Sequence, residues 1–339
     1  MKILVTGNTK LHCTPDYYLS QQLKVVPSET ALIAILRALG HEVDQRVVQW
    51  GENLDHYDKV LVYYAPTDGF VPKHSSGLFW TLHARPDCGA LIDDYQCSRV
   101  LRDDRRIAAK WKEMFVPQMN GVTERDLIDE IHKDWMKDKK VLVPAFYGGD
   151  LSLLFTKAKK KDPKWFEEQN LEVFRYYPDP WLPGRGPVSR FEGERKKEWV
   201  VAGLSKQNRA AMAKWDPSWP VVELGGKDAN GVRMPEPEAI EWFGERWLHC
   251  MPSYDHKGSG WWRSRPIQLA NSGVVTYGHP DECKLYGESW VIDDPLALEK
   301  SSESSLETRA EKQREDFFKN QPQDMALPTR DVEAYLKVL

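Results

Sequence analysis

The chain has no long apolar run, no paired-cysteine motif and no large excess of charge of either sign. None of its apolar stretches approaches the ~18 residues needed to cross a bilayer, so no membrane span is expected. Five cysteines, Cys13, Cys88, Cys97, Cys250 and Cys283, are scattered, odd in number and free of any C-x-x-C spacing. That argues against a disulfide framework or a structural zinc site, and the five are expected to be reduced thiols. No G-x-G-x-x-G follows a strand, which removes the fingerprint of a dinucleotide oxidoreductase. A net charge of −4 excludes a surface that is basic all over, while a local basic face stays open.

What is present is ordinary for a folded soluble protein: 41% hydrophobic and 29% charged residues in a chain of 339. At roughly 100–200 residues per domain, that length suits two domains. The 14 tryptophans are many, and most are expected in the core. The opening MKILVTGNTK has a short apolar run and no small-residue cleavage site, so it reads as a first strand, and the expected location is the cytoplasm.

Periodicity alternates strand and helix. KILVT is a strand, followed by a Gly7-Asn8-Thr9 loop. Ser28 is a natural N-cap, with Leu32, Ile33, Ile35, Leu36 and Leu39 at helical spacing and Gly40 as C-cap. His41–Asp44, VLVYY and Gly89–Ile92 read as further strands, the last running into Asp93-Asp94. DRRIAAKWKEMF and residues 122–138 are helix-prone. Val141–Tyr147 is expected to open a second series, with a Gly148-Gly149-Asp150 turn and a helix holding Lys157, Lys159, Lys160 and Lys161. Residues 178–196 read as an extended loop. Strands are expected at Trp199–Leu204, Pro220–Leu224, Trp247–Pro252 and Gly273–Thr276, and helices at 205–215, Pro235–Glu245 and 266–272. The stretch after Ser301 is charged helix, and Pro322–Leu339 reads as a tail. The expected architecture is α/β: two Rossmann-like doubly wound halves, 1–140 and 141–300, facing across a cleft, then a helical segment and tail, 301–339.

Ligands in open α/β sheets bind at the carboxyl ends of the strands. Glu29, Asp93 and Asp94 fall at such ends, where one carboxylate could deprotonate a hydroxyl and another orient it. Each also suits a structural job, helix N-terminal electrostatics for Glu29 and helix capping for the aspartates. A second group, Arg263, Arg265, Gln268 and Gly273, lies where a loop feeds a short helix. Guanidinium forks there suit a diphosphate and the amide suits ribose hydroxyls, although a solvated arginine pair would read the same way.

These segments resemble the GT-B glycosyltransferases, and more narrowly the DNA β-glucosyltransferases of tailed bacteriophages. Val26-Pro27-Ser28-Glu29-Thr30 resembles that family's opening Val-Pro-Ser-Ser-Glu-Thr, one serine shorter. Gly40–Asp44, Tyr57-Asp58, Tyr147-Gly148-Gly149, Met234-Pro235 and Thr308–Lys312 follow the family's order, in patches from about residue 2 to 320. The resemblance implies a GT-B fold whose C-terminal helix packs back on the first domain. It implies an inverting sugar transfer from a UDP-sugar to a hydroxymethylated pyrimidine in double-stranded DNA, by a monomer, with a divalent cation optional. It maps the catalytic base onto Asp94 and its supporting carboxylate onto Glu29. Donor binding falls to Gly7, Val26, Gly149, Met234, Asp255, Arg263, Arg265 and Gln268. Two departures stand out. Gln268 replaces an acidic residue, and the arginines that follow the Tyr-Gly-Gly turn are missing, which makes Arg263 the candidate substitute. A base must leave the duplex to be modified, and phosphate contacts hold the duplex meanwhile. Arg102, Arg105, Arg106, Lys110 and Lys112 are candidates, as are Lys157 and Lys159 to Lys161; a solvated helix face is the plain alternative for both groups. Two other functions stay open: a GT-B enzyme acting on a small molecule, lipid or protein, and a non-catalytic nucleotide- or DNA-binding protein.

Overall fold

The computed structural model describes residues 1–6, 28–46, 52–63, 85, 87–92, 137–156, 163–178, 191, 193–202, 215–224, 236–251 and 258–339. The first sheet is built from β1 (Lys2–Thr6), β2 (Glu42–Gln45), β3 (Lys59–Tyr63), β4 (Cys88–Leu91), β5 (Lys140–Pro144) and β6 (Glu172–Tyr176), with α1 (Ser28–Ala38) between β1 and β2. Its order is β2-β1-β3-β4-β5-β6, parallel throughout. The short strands are near-continuous apolar runs, as strands covered on both faces require. The short α2 (Pro163–Glu168) precedes β6.

The second sheet contains β7 (Lys196–Ala202), β8 (Val221–Leu224), β9 (Arg246–Cys250) and β10 (Val275–Tyr277), in the parallel order β10-β9-β7-β8. α3 (Glu236–Gly244), α4 (Ser264–Ser272) and the short α5 (Pro280–Cys283) accompany it, and α6 (Glu303–Asn320) and α7 (Ala326–Val338) close the chain. The free edge of β10 is covered by one side chain. Gln313 of α6 accepts from the Thr276 N–H and donates to the Thr276 carbonyl, each at 2.8 Å. A buried strand edge left unpaired would be costly, and this amide supplies the missing rung.

Three sequence expectations change. Val141–Tyr147 does open a strand, but β5 pairs with β4, so the change of series at residue 141 is not a change of sheet. The sequence pattern signals no element at Glu172–Tyr176, yet β6 there pairs with β5 over five residues. The segment Pro322–Leu339, expected as a tail, holds the helix α7. Val332, Tyr335 and Leu336 of α7 are buried in the core formed by Ile3, Val5, Leu61, Leu91 and Leu142 with Leu32, Ile35 and Leu36 of α1. The expected helix at 104–115 lies outside the described residues, as do the helices expected at 122–138 and 205–215 except for residues 137, 138 and 215, which are not helical. Gly40 (φ +81°) ends α1 in the left-handed conformation expected of a C-cap glycine, and Gly273 (φ +64°), expected to start a strand, instead ends α4 in the same way.

α7 carries the chain back from the second sheet to the first. Its Tyr335 hydroxyl donates to the Lys140 carbonyl at 3.1 Å, and its ring fills the space beside Gly89 of β4 that a side chain there would occupy. Gly89→Ala is expected to destabilise the protein by about 1–3 kcal/mol through overpacking against Tyr335. Tyr335→Phe removes the closest clashing atom, so in a denaturation double-mutant cycle the pair should cost less than the sum of the singles. Strict additivity would show that α7 does not dock at Gly89.

Candidate functional site

Both sheets reverse their strand order once. In the first the reversal falls between β1 and β3, in the second between β7 and β9, and such switch points are where open α/β sheets hold ligands. The two sheets are joined at these ends. Beyond β5, residues Pro144–Asp150 run against Gly258–Trp262, the segment that enters α4. Ala145 and Trp261 form an antiparallel bridge, the Trp262 N–H donates to Pro144 at 3.1 Å, and the Asp150 N–H donates to Gly258 at 2.9 Å. The chains cross at two glycines. A Cβ on Gly260, which has φ +75°, would stand 2.7 Å from the Gly149 Cα, and a Cβ on Gly149 would strike Gly260 and the Ser259 carbonyl. Gly149 was expected to serve donor binding; what the structure gives it is this backbone crossing.

Side chains seal the junction. Phe146 and Tyr177, just past β5 and β6, are fully buried in the core of the second half with Tyr286, Trp290 and Phe317. Phe146 meets Tyr286 at 5.1 Å and Phe317 at 6.0 Å, both edge to face. Arg175 of β6 donates to the Gly149 carbonyl at 3.0 Å, and Gln321 takes the Tyr147 N–H while donating to Leu285. The Tyr147 hydroxyl donates to Asp331 of α7.

Directly beyond the crossing, Arg263 caps α4. Its side chain makes no cap hydrogen bond, so the first turn presents N–H groups and a positive dipole end without a side-chain acceptor from the cap. Arg263 is buried and ion-paired with Glu282 of α5, whose carboxylate also accepts from the Tyr286 hydroxyl at 2.9 Å. The expected diphosphate clamp at Arg263 is therefore engaged inside the protein. Arg265, two residues on and partly exposed, lies with its guanidinium 4.7 Å from the centre of the Phe243 ring of α3. The Gln268 Oε1 is buried without a hydrogen-bond partner among the described residues.

Four residues that sequence reasoning passed over share this region or the other switch point. His249 of β9 is wholly buried and neither ring nitrogen has a partner among the described residues. Burial, then the charges of Arg265 and Arg263, hold its pKa well below 6.5, so it is neutral. Glu282 carries no sequence signal beyond a short Pro-Asp-Glu-Cys turn. In the first half, Thr6 at the end of β1 and Thr30 in the first turn of α1 have buried hydroxyls without a partner among the described residues.

Glu29 lies in the first turn of α1, with its side chain outside the described set. The chain is held as far as Ile92, whose N–H donates to Leu142 at 3.1 Å, and Asp93 and Asp94 then follow in sequence, outside the described residues. Gly7, Val26, Met234, Asp255, Arg102, Arg105, Arg106, Lys110, Lys112, Lys157 and Lys159 to Lys161 also lie outside them. Among the described residues, no three His, Cys, Asp or Glu side chains are grouped as a metal ion would need, and no helix is long and apolar enough to cross a membrane.

No protein-family model and no curated protein sequence matches the chain. Solved structures do. T4 phage BGT in complex with UDP-glucose aligns over 100% of this chain and 99% of its own, with a TM-score of 0.58 and 12% identity. The DNA-modifying enzyme β-glucosyltransferase, solved with and without uridine diphosphoglucose, gives 0.57 over the same shares and at the same identity. T4 phage BGT with UDP and Mn2+ gives 0.54. The chain has the GT-B fold. That fold places one Rossmann-like unit on each side of the crossing, with the last helix returning to the first unit, as α7 does.

The neutral state of His249 makes stability depend on pH. In the unfolded chain it takes a proton below about pH 6.5, whereas the folded protein resists that proton until far lower. Its contribution is complete above 6.5 and falls by up to about 1.4 kcal/mol per pH unit below it. Denaturant melts between pH 6.5 and 5.0 should show this slope in the wild type and lose it in His249→Phe. Equal slopes would mean that His249 titrates normally.

Proposed function

We propose that the chain is an inverting glycosyltransferase that moves a sugar from a UDP-sugar to the hydroxymethyl group of a modified pyrimidine in double-stranded DNA. The observation that carries this reading is full-length agreement of fold with T4 phage BGT bound to UDP-glucose, together with a partly exposed arginine in the first turn of the helix that follows the crossing. The coarser statement, a transferase of the glycosyltransferase kind, rests on the fold; the DNA acceptor rests on the sequence patches around Glu29 and Asp94.

In this reading the first half binds the acceptor. Asp94 takes the proton from the acceptor hydroxyl, Glu29 orients it, and the oxygen attacks the anomeric carbon. The bond to the diphosphate breaks on the opposite face, and UDP leaves with inversion. The second half binds the donor. Arg265 and the α4 N-terminus meet the growing negative charge on the leaving diphosphate. Gln268 offers its unpartnered oxygen to a ribose hydroxyl. Arg263, through Glu282, anchors the turn from which Arg265 projects. Gly7, Val26, Met234 and Asp255 complete the donor pocket, and backbone groups at Val232–Met234 read the base. Arg102, Arg105, Arg106, Lys110, Lys157 and Lys159 hold the duplex by its phosphates while the target base is flipped out. No step is routed through a metal; a divalent cation, where bound, would neutralise charge on the leaving diphosphate.

The net charge of −4 favours a second reading, a small-molecule, lipid or protein acceptor. Salt separates the two, because duplex binding through phosphates weakens steeply as salt rises. UDP release from UDP-glucose in the presence of hydroxymethylated duplex should fall by about 10²- to 10⁴-fold in Asp94→Asn, with UDP affinity retained. Undiminished turnover in that variant would remove Asp94 from the mechanism, and turnover indifferent to the duplex would favour the second reading.

A further inference from the structure

His249 stands one residue before the end of β9, paired across the sheet with Val200 and Thr276. A buried imidazole with no hydrogen-bond partner among the described residues is unusual, and its contact here is with a ring. Phe243 of α3 meets it at 5.5 Å with the planes at 78°. The same Phe243 ring carries the Arg265 guanidinium. An uninterrupted series of contacts thus runs from the central strand, through α3, to the first turn of α4.

We propose that His249 is a positioning residue for a nucleoside diphosphate. As a neutral ring it backs Phe243, and Phe243 sets the height and direction of Arg265. This rests on the donor reading above. The groups that face His249 explain why the ring must be uncharged. From α4 come the cations Arg263 and Arg265. Arg263 is itself paired with Glu282 of α5. The neighbouring strand residues Val200 and Thr276 and the α3 residue Phe243 bring no charge. A charged group at position 249 would push Arg265 off its ring or compete for it. An aliphatic side chain would not hold Phe243 by an edge-to-face contact. A neutral histidine meets both conditions, and it does so without itself touching the ligand.

Calorimetric titration with UDP tests this on the full-length protein, using His249→Ala, Arg265→Ala and the double variant. His249→Ala should weaken UDP binding by about tenfold in the wild-type background and by less than about twofold beside Arg265→Ala, because both act through one contact. His249→Phe, which restores an uncharged ring, should recover most of the loss. Binding of hydroxymethylated duplex should not change in any variant. A merely structural role would instead give equal losses in both backgrounds, and that result, or no loss at all, overturns the proposal. Should His249→Ala fail to fold by circular dichroism, Phe243→Leu takes its place in the same cycle. A wild type that binds no UDP overturns the donor reading and this proposal together. A wild type that binds UDP with additive losses overturns this proposal alone.

Discussion

Two backbones touch where Gly149 crosses Gly260, and the arrangement of the rest of the chain depends on that approach. No side chain fits at either position without moving main chain. Because they can lie so close, the end of β5 forms a short antiparallel bridge with the segment that enters α4. The carboxyl end of the first sheet and the N-terminus of the helix beside the second switch point are thereby brought into one region. The cores of the two halves also merge there. Phe146 and Tyr177 leave the first sheet and are buried among Tyr286, Trp290 and Phe317. A junction built from a shared aromatic core, with Gln321 and Tyr147 stitched across it, is a packed interface rather than a linker.

Electrostatics at the head of α4 follows from the same geometry. Two arginines enter a largely dry region beside a helix N-terminus that is itself positive. The protein neutralises one of them internally, pairing Arg263 with Glu282, and leaves the other against an aromatic face. A buried pair of this kind costs desolvation of both ions and contributes little net stability, but removing one partner would strand the other. The neutral His249 fits the same balance. The result is a fixed excess of positive charge at one partly exposed spot, suited to an anion.

Much of this was legible in the sequence because it is local. Short apolar runs gave β1, β3, β4, β7 and β9, and Ser28 through Gly40 gave α1 with its left-handed end. What was not legible depends on tertiary pairing. β6 alternates Val173, Phe174, Arg175 and Tyr176 across a strand that is only half covered, and its partner β5 is set by β4 rather than by sequence proximity. α7 has Val332, Tyr335 and Leu336 on one helical face, a pattern obscured by Pro322 before it and Pro328 in its first turn. Arg263 and Arg265 look alike as residues; only folding tells them apart, since Glu282 comes from a turn 17 positions on from Arg265. Gly149 illustrates the same limit: its sequence context fits a ligand turn, and a backbone crossing at residue 260 leaves no local trace.

The central claim is that the two halves so joined perform sugar transfer to a base in DNA. The most direct measurement mixes the purified protein with hydroxymethylated duplex DNA and each of a panel of nucleotide-sugars, then digests the DNA and weighs its nucleosides. The account predicts that a UDP-sugar alone of the panel adds one sugar to the hydroxymethylated nucleoside and to no other. Unmodified nucleosides with every donor, from a protein that still binds UDP and glycosylates a small-molecule acceptor, would contradict it.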